Sequence, residues 1–293
     1  MKILNQMVVC YRSLFVEKKY TFLHWHRRII TIITVFILLL VSTLPASAIV
    51  YGEPDGNAHP FVGSIVVRVP GEGLFQFCSG TLIAANVFLT ASHCTAPLDS
   101  ILAENPGSEV LVTFDSTITE GGTFYTGTWH TNPAYLTGNG ESDTHDVAVI
   151  VLDQAPGIAP AQLPTAGLLD ELKAGHVLKD TLFTVVGYGT VRETNRTGFQ
   201  GILDNLERRR ADQEFLSLTN AWLTLSMNLA TSNGGACYGD SGGPHFIHLD
   251  GEETSIVASI TVTGDAVCKA TDTTYRMDTE SARSFLANYV TLP

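Results

Sequence analysis

The sequence predicts an all-β fold, a sandwich or a barrel, and three observations carry that prediction. From Ile49 onward the apolar residues fall in short runs rich in β-branched and aromatic side chains. Gly, Pro, Asn and Asp punctuate those runs at close intervals. One run, Val147–Leu152, is continuously apolar and reads as a buried strand. Many short strands separated by turn signals are the pattern of closed β architectures.

In chain order, strands are expected at Val62–Val69, Leu74–Cys78, Val87–Ala91, Val110–Phe114, Thr123–His130 and Val147–Leu152. The turns between them are marked by Pro70-Gly71, Ala85-Asn86, Asn105-Pro106-Gly107, Gly121-Gly122 and Asn139-Gly140. Asp153–Pro164 carries three prolines and reads as a linker between two units. Thr181–Val186 is a strand that ends in Gly187-Tyr188-Gly189. Arg192–Asn233 is harder to read: Phe215–Leu229 fits strand or short helix, and Glu207-Arg208-Arg209-Arg210 reads as a solvated face. Asn195-Arg196-Thr197 is a glycosylation sequon. Ile256–Thr263 and Thr274–Met277 are strands, and a closing helix begins at Asp278-Thr279-Glu280 with Asp278 as its N-cap.

Of the 293 residues, 45% are hydrophobic and 16% charged, enough to build a large core. The formal net charge is −12 and unevenly placed. Residues 1–48 hold six of the 17 basic side chains and one of the 29 acidic ones, which leaves 11 basic against 28 acidic residues in 49–293. That balance excludes nucleic acid and anionic membrane surfaces as partners.

Ile29–Leu44 is an uncharged apolar run of sixteen residues, preceded by Arg27-Arg28 and followed by Pro45-Ala46-Ser47-Ala48. This is the layout of a secretory signal peptide cut after Ala48. The rival is an uncleaved anchor, for which sixteen residues fall short of the roughly 20 a spanning helix needs. Only that rival would bring a membrane contact. Cleavage after Ala48 would leave 49–293 as the mature domain, with Ile49-Val50 at its start.

Cys10 lies in the leader, so Cys78, Cys94, Cys237 and Cys268 remain, an even set in an exported chain. Three pairings are open, and the sequence-local one is Cys78–Cys94 with Cys237–Cys268. Cys-x-x-Cys does not occur, and no metal or cofactor is expected.

The chemistry is carried by Gly239-Asp240-Ser241-Gly242-Gly243-Pro244. A serine among glycines sits in a tight turn with its hydroxyl accessible, and such a turn can aim two N–H groups at one point. Acyl transfer by a serine also needs a base and a carboxylate to orient it. The chain offers His93 in Thr90-Ala91-Ser92-His93-Cys94 and Asp146 in His145-Asp146-Val147-Ala148-Val149.

In the order His, Asp, Ser, these segments resemble the chymotrypsin/trypsin family of serine endopeptidases. Thr90–Cys94 is similar to that family's Thr-Ala-Ala-His-Cys, with Ser92 replacing an alanine. Cys78–Ile83 resembles the strand whose cysteine pairs with the one after the histidine, and Gly187–Gly189 resembles the family's Gly-Trp-Gly. The resemblance implies two packed six-stranded antiparallel β-barrels, the first over about 49–152 and the second, with the C-terminal helix, over 165–293. It implies a catalytic triad of His93, Asp146 and Ser241, and an oxyanion hole made by the N–H groups of Gly239 and Ser241. Asp240 would pair with the free ammonium of Ile49, so that signal cleavage alone activates the enzyme.

The same resemblance puts Gly235, six residues before Ser241, at the base of the substrate pocket, beside Ala236. Thr263 and Thr273 would form the walls, and Thr261 would bind substrate through its main chain. With no aspartate at position 235, the expectation is a small to medium apolar P1 side chain and no trypsin-like cleavage. Implied partners are protein or peptide substrates and protein inhibitors of a monomeric enzyme. A non-catalytic binding protein on the same fold is the rival reading.

Overall fold

The computed structural model describes residues 49–136, 142–192 and 198–293. The leader with Cys10, the Asn139-Gly140 turn and the sequon at 195–197 lie outside the described residues. Among the described residues no helix is long and apolar enough to cross a membrane.

Six strands form the first sheet: β2 (Val62–Val69), β3 (Gly73–Ala84), β4 (Val87–Thr90), β5 (Glu109–Thr113), β6 (Gly127–Thr131) and β7 (Ala148–Leu152). They pair antiparallel in the order β5-β2-β3-β4-β7-β6, and a bridge between Val112 and Tyr125 draws the two ends toward each other. β4 is buried throughout, with β7 beside it, as their unbroken apolar sequences require.

The second sheet holds β8 (Leu182–Gly187), β11 (Arg209–Leu218), β12 (Trp222–Ser226), β13 (Pro244–Leu249), β14 (Glu252–Gly264) and β15 (Thr271–Arg276). It closes into a barrel because β8 pairs with both β13 and β11. The short β1 (Glu53–Pro54) adds to β11, and β9 (Val191–Arg192) pairs with β10 (Ile202–Leu203). The all-β expectation with two six-stranded sheets is therefore met, with the second barrel closed and the first partly open.

One hydrophobic cluster runs across both sheets, joining Val62, Leu82, Phe88 and Val149 of the first to Phe246, Ile260 and Tyr275 of the second, with Tyr188 just after β8. The proline-rich segment lies along both: Ala161 N donates to Leu82 O at 2.9 Å, and Val257 N donates to Gln162 O at 2.9 Å.

Two expectations about charged residues are corrected. Arg208 and Arg209 are buried, not part of a solvated face. The Arg208 guanidinium donates to Asp55 at 2.8 Å, to the carbonyls of Val62, Phe114 and Gly56, and to Tyr188 Oη. A buried guanidinium is tolerated when its donors are satisfied in this way. Asp278 does not cap the final helix, α4 (Glu280–Leu286). Its carboxylate is taken by Arg276 at 2.9 Å and by Leu169 N at 2.8 Å, and Thr279 caps the helix instead. Three short helices were not expected: α1 (Ser92–Thr95), α2 (Leu98–Glu104) and α3 (Leu168–Ala174).

Candidate active site

His93 sits on the single turn of α1, directly after β4. Ser92 pins that turn: its hydroxyl donates to Val147 O at 2.8 Å and accepts from Asn132 N at 3.2 Å. The serine that departs from the family's alanine thus ties α1 to the segment carrying Asp146. The Asp146 carboxylate is buried and takes two hydrogen bonds from His93, one from its backbone N at 2.9 Å and one from Nδ1 at 2.8 Å. A neutral ring making that bond carries its proton on Nδ1, which leaves Nε2 as the accepting nitrogen. Behind Asp146, Tyr275 Oη donates to Asp143 at 2.7 Å and lies 3.0 Å from Ser281 Oγ, which reaches His145 Nδ1 at 2.7 Å.

Ser241 stands on the turn between β12 and β13, and contacts from the first sheet hold that turn. Ser79 N donates to Ser241 O at 2.9 Å, while Ser79 Oγ and Gln76 Nε2 donate to Gly239 O at 3.0 and 2.8 Å. Gly239 has φ +93°, and a side chain there would strike Gln76. Among the described residues neither Gly239 N–H nor Ser241 N–H is a hydrogen-bond donor, so both are free for a ligand. No hydrogen bond joins Ser241 Oγ to His93 Nε2 among them, a link that is often loose until substrate arrives.

The four expected cysteines form Cys78–Cys94 and Cys237–Cys268, with Cα separations of 6.2 and 5.4 Å. The first fastens β3 to α1, and the second fastens the Ser241 turn to the segment before β15. Cys78, His93 and Cys94 lie close enough to suggest a metal site, but the disulfide occupies both sulfurs.

Beside Ser241 opens a cavity of about 270 Å³ lined by Ala236, Thr261, Thr263, Asp265, Cys268 and Asp272, among others. Of the five expected pocket residues, Ala236, Thr261 and Thr263 are there and Gly235 and Thr273 are not. Gly235 faces the protein interior: a Cβ on it would lie 2.6 Å from Gln213 Nε2 and would also strike Met227. Thr273 is displaced by Asp272. Successive strand residues point to opposite faces, so a shift of one position exchanges them, and β14 carries an irregularity between Thr261 and Thr263 opposite this stretch. The acid in the wall was thus missed by one residue.

Asp240 is fully buried. Its carboxylate accepts Gly189 N at 2.7 Å and Cys237 N at 2.9 Å. Gly187 and Gly189 leave the room it needs, since a Cβ on either would collide with the carboxylate. Burial pushes its pKa up to about 7, against the two N–H donors, and nearby Asp272 pushes the same way. Ile49 and Val50 are buried, and Val50 exchanges two hydrogen bonds with Gly235, at 3.1 and 2.9 Å.

The trypsin family model matches residues 49–284. The chain belongs to the trypsin family. It is similar to a trypsin from Saccharopolyspora erythraea, 29% identical over 68% of this chain and 82% of that protein. A trypsin from Simulium vittatum is 29% identical over 72% of this chain and 81% of its own. The HL collagenase structure is 16% identical and superposes with a TM-score of 0.57, covering 82% of this chain and 97% of that one, which supports the shared fold. As a trypsin-family serine protease domain, it is expected to act on protein or peptide substrates. The family match begins at Ile49, the residue expected to follow the leader.

Proposed function

We propose that this protein is an exported serine endopeptidase that cleaves peptide bonds through an acyl-enzyme on Ser241. The observation that carries the reading is the two-point grip of Asp146 on His93, at 2.9 and 2.8 Å, beside a turn with two free N–H groups. Ser241 Oγ attacks the scissile carbonyl while His93 Nε2 takes the hydroxyl proton. His93 then gives that proton to the leaving amine, and Asp146 stabilises the imidazolium throughout. The N–H groups of Gly239 and Ser241 hold the oxyanion, each donor being worth about a hundred- to a thousandfold in rate. This division of roles is that of the Ser-His-Asp triad of the chymotrypsin/trypsin family.

Activation follows from the buried Asp240. Its carboxylate has two backbone donors and no cation among the described residues. Cleavage after Ala48 would free the ammonium of Ile49 to supply that charge. Ile49 also holds φ +42°, costly for a β-branched residue, and φ ceases to be constrained once the bond to residue 48 is cut. Export is supported by the leader and by two disulfides, which persist in oxidising compartments. The walls of Ala236, Thr261 and Thr263 suit a small to medium apolar P1 side chain, with Asp272 an added charge.

A fluorophosphonate probe tests the enzyme reading: covalent label on Ser241, lost in Ser241→Ala, is the expected result. Absence of label in processed protein supports the binding-protein reading instead. N-terminal sequencing of the labelled protein is expected to begin at Ile49, and any other start overturns the activation scheme.

A further inference from the structure

Asp146 is the middle residue of a three-residue turn just before β7, closed by Val147 N donating to His145 O at 2.9 Å. Among the described residues His93 is the sole hydrogen-bond partner of the Asp146 carboxylate. The direction in which that carboxylate points is therefore set by the backbone on either side of it. On the far side Ser92 Oγ holds Val147 O at 2.8 Å. On the near side stands His145, at φ +54°. A non-glycine residue in the left-handed region is strained, and it persists there only where its surroundings over-determine it.

A closed ring of hydrogen bonds supplies that hold. His145 N donates to Asp143 Oδ1 at 3.0 Å, and Tyr275 Oη donates to the same oxygen at 2.7 Å. Ser281 Oγ lies 3.0 Å from Tyr275 Oη and 2.7 Å from His145 Nδ1. Tyr275 has one hydroxyl proton and gives it to Asp143, so every bond of the ring is made when Ser281 Oγ donates to Tyr275 and accepts from His145 Nδ1. Burial alone would raise the Asp143 carboxyl, but its hydrogen bonds, led by that from His145 N, hold it below the usual carboxylate range. Tyr275 comes from β15 and is fully buried, its ring edge to face with Trp222 at 5.6 Å between centroids. Ser281 comes from the first turn of α4. A phenylalanine would fill the space of Tyr275, so packing does not call for the hydroxyl.

We infer that Tyr275 and Ser281 are positioning residues: they hold His145 in its left-handed conformation and so aim the Asp146 carboxylate at His93. A carboxylate carried by the first sheet is thereby held from the second sheet and the C-terminal helix. This inference rests on the endopeptidase reading and adds to it two residues that touch neither His93 nor the cavity beside Ser241. Without the ring the turn relaxes and Asp146 swings away from His93. The cavity is untouched, so the cost falls on kcat and not on KM.

The test uses the full chain, processed through its own leader, and a peptide substrate with an apolar P1 side chain. Tyr275→Phe and Ser281→Ala are each expected to lower kcat by about 10- to 100-fold, the worth of a hydrogen bond to a charged group, with KM within about twofold of wild type. The double variant should fall little below the weaker single one, because both hydroxyls act through His145. Losses that multiply, or a kcat unmoved while the melting temperature falls, overturn the inference. Proton NMR supplies an arm independent of turnover. In Ser241→Ala the hydrogen-bonded proton between His93 Nδ1 and Asp146 should give a far-downfield resonance, and adding Tyr275→Phe should shift it upfield or broaden it by solvent exchange. A resonance that stays in place overturns the inference. Fluorophosphonate labelling of the wild-type protein reports separately on the enzyme reading: failure to label there counts against that reading, while the resonance still decides whether Tyr275 positions Asp146.

Discussion

Ser79 Oγ donates a 3.0 Å hydrogen bond to the carbonyl of Gly239, across the boundary between the two sheets. The same hydroxyl accepts from Tyr188 N at 3.1 Å, so one buried serine holds two segments of the second unit at once. It fixes the peptide plane next to the proposed oxyanion donors. Ser79→Ala is expected to lower kcat by about fivefold with little change in KM, since one neutral hydrogen bond contributes roughly 1 kcal/mol. Steady-state kinetics on a peptide substrate with an apolar P1 side chain check this. A fall in melting temperature with kcat unchanged would reduce Ser79 to a packing residue.

Arg208 is a buried cation with five hydrogen bonds, and Asp55 depends on it. Burial alone would raise the Asp55 pKa, but hydrogen bonds from His59 and Arg208 lower it to about 2. Arg208→Ala should destabilise the fold by about 3–5 kcal/mol, because it strands a buried carboxylate. Arg208→Ala with Asp55→Ala should recover part of that loss. Urea unfolding of the four proteins measures the coupling, and additive losses would contradict it.

His59 lies between Asp55 at 2.5 Å and Glu253, which it contacts through Nε2. Burial alone would lower its pKa, but the bonds to the two carboxylates outweigh burial and raise it. A group whose pKa is raised by folding stabilises most when protonated. Its contribution is complete below about 6.5 and is lost as pH rises through the folded value. The urea midpoint of the wild type should therefore drop more steeply than that of His59→Gln between pH 6 and 9. Parallel curves would remove His59 from the account.

Asp240 allows a comparison between cut and uncut chains. With its pKa raised to about 7, the uncut chain takes up a proton on folding. Its stability should fall as pH rises from about 4 to 7 and then level off. In the cut chain an ammonium beside the carboxylate removes that penalty. Chemical unfolding of Ser241→Ala, with and without the leader, is expected to show a smaller loss over this window in the cut form. Identical slopes would mean that Ile49 never reaches Asp240.

Much of the first sheet was legible because apolar residues dominate β2, β4 and β7: Val62–Val69 is a strand with those very bounds. β11 was not, because Arg209 and Gln213 are buried polar residues in its apolar face, and the partner of Gln213 comes from a distant segment. Nothing local announces that Gln213 will meet Asp272, 59 residues away. The segments carrying His93, Asp146 and Ser241 were readable because each stands in a short motif. Asp272 was not, because its facing depends on an irregularity in the partner strand, which a count along the chain cannot register.

Val50 and Gly235 exchange a pair of hydrogen bonds, and Gly235 leads directly into Ala236 on the cavity wall. The residues proposed to begin the mature chain and the wall of the cavity beside Ser241 are therefore joined through backbone hydrogen bonds. By thermodynamic reciprocity, a molecule lodged in the cavity tightens the hold on the first residues as much as they tighten the hold on it. An inhibitor in the cavity would thus shield the N-terminus from exopeptidase trimming. Removal of its first two residues would in turn weaken that inhibitor.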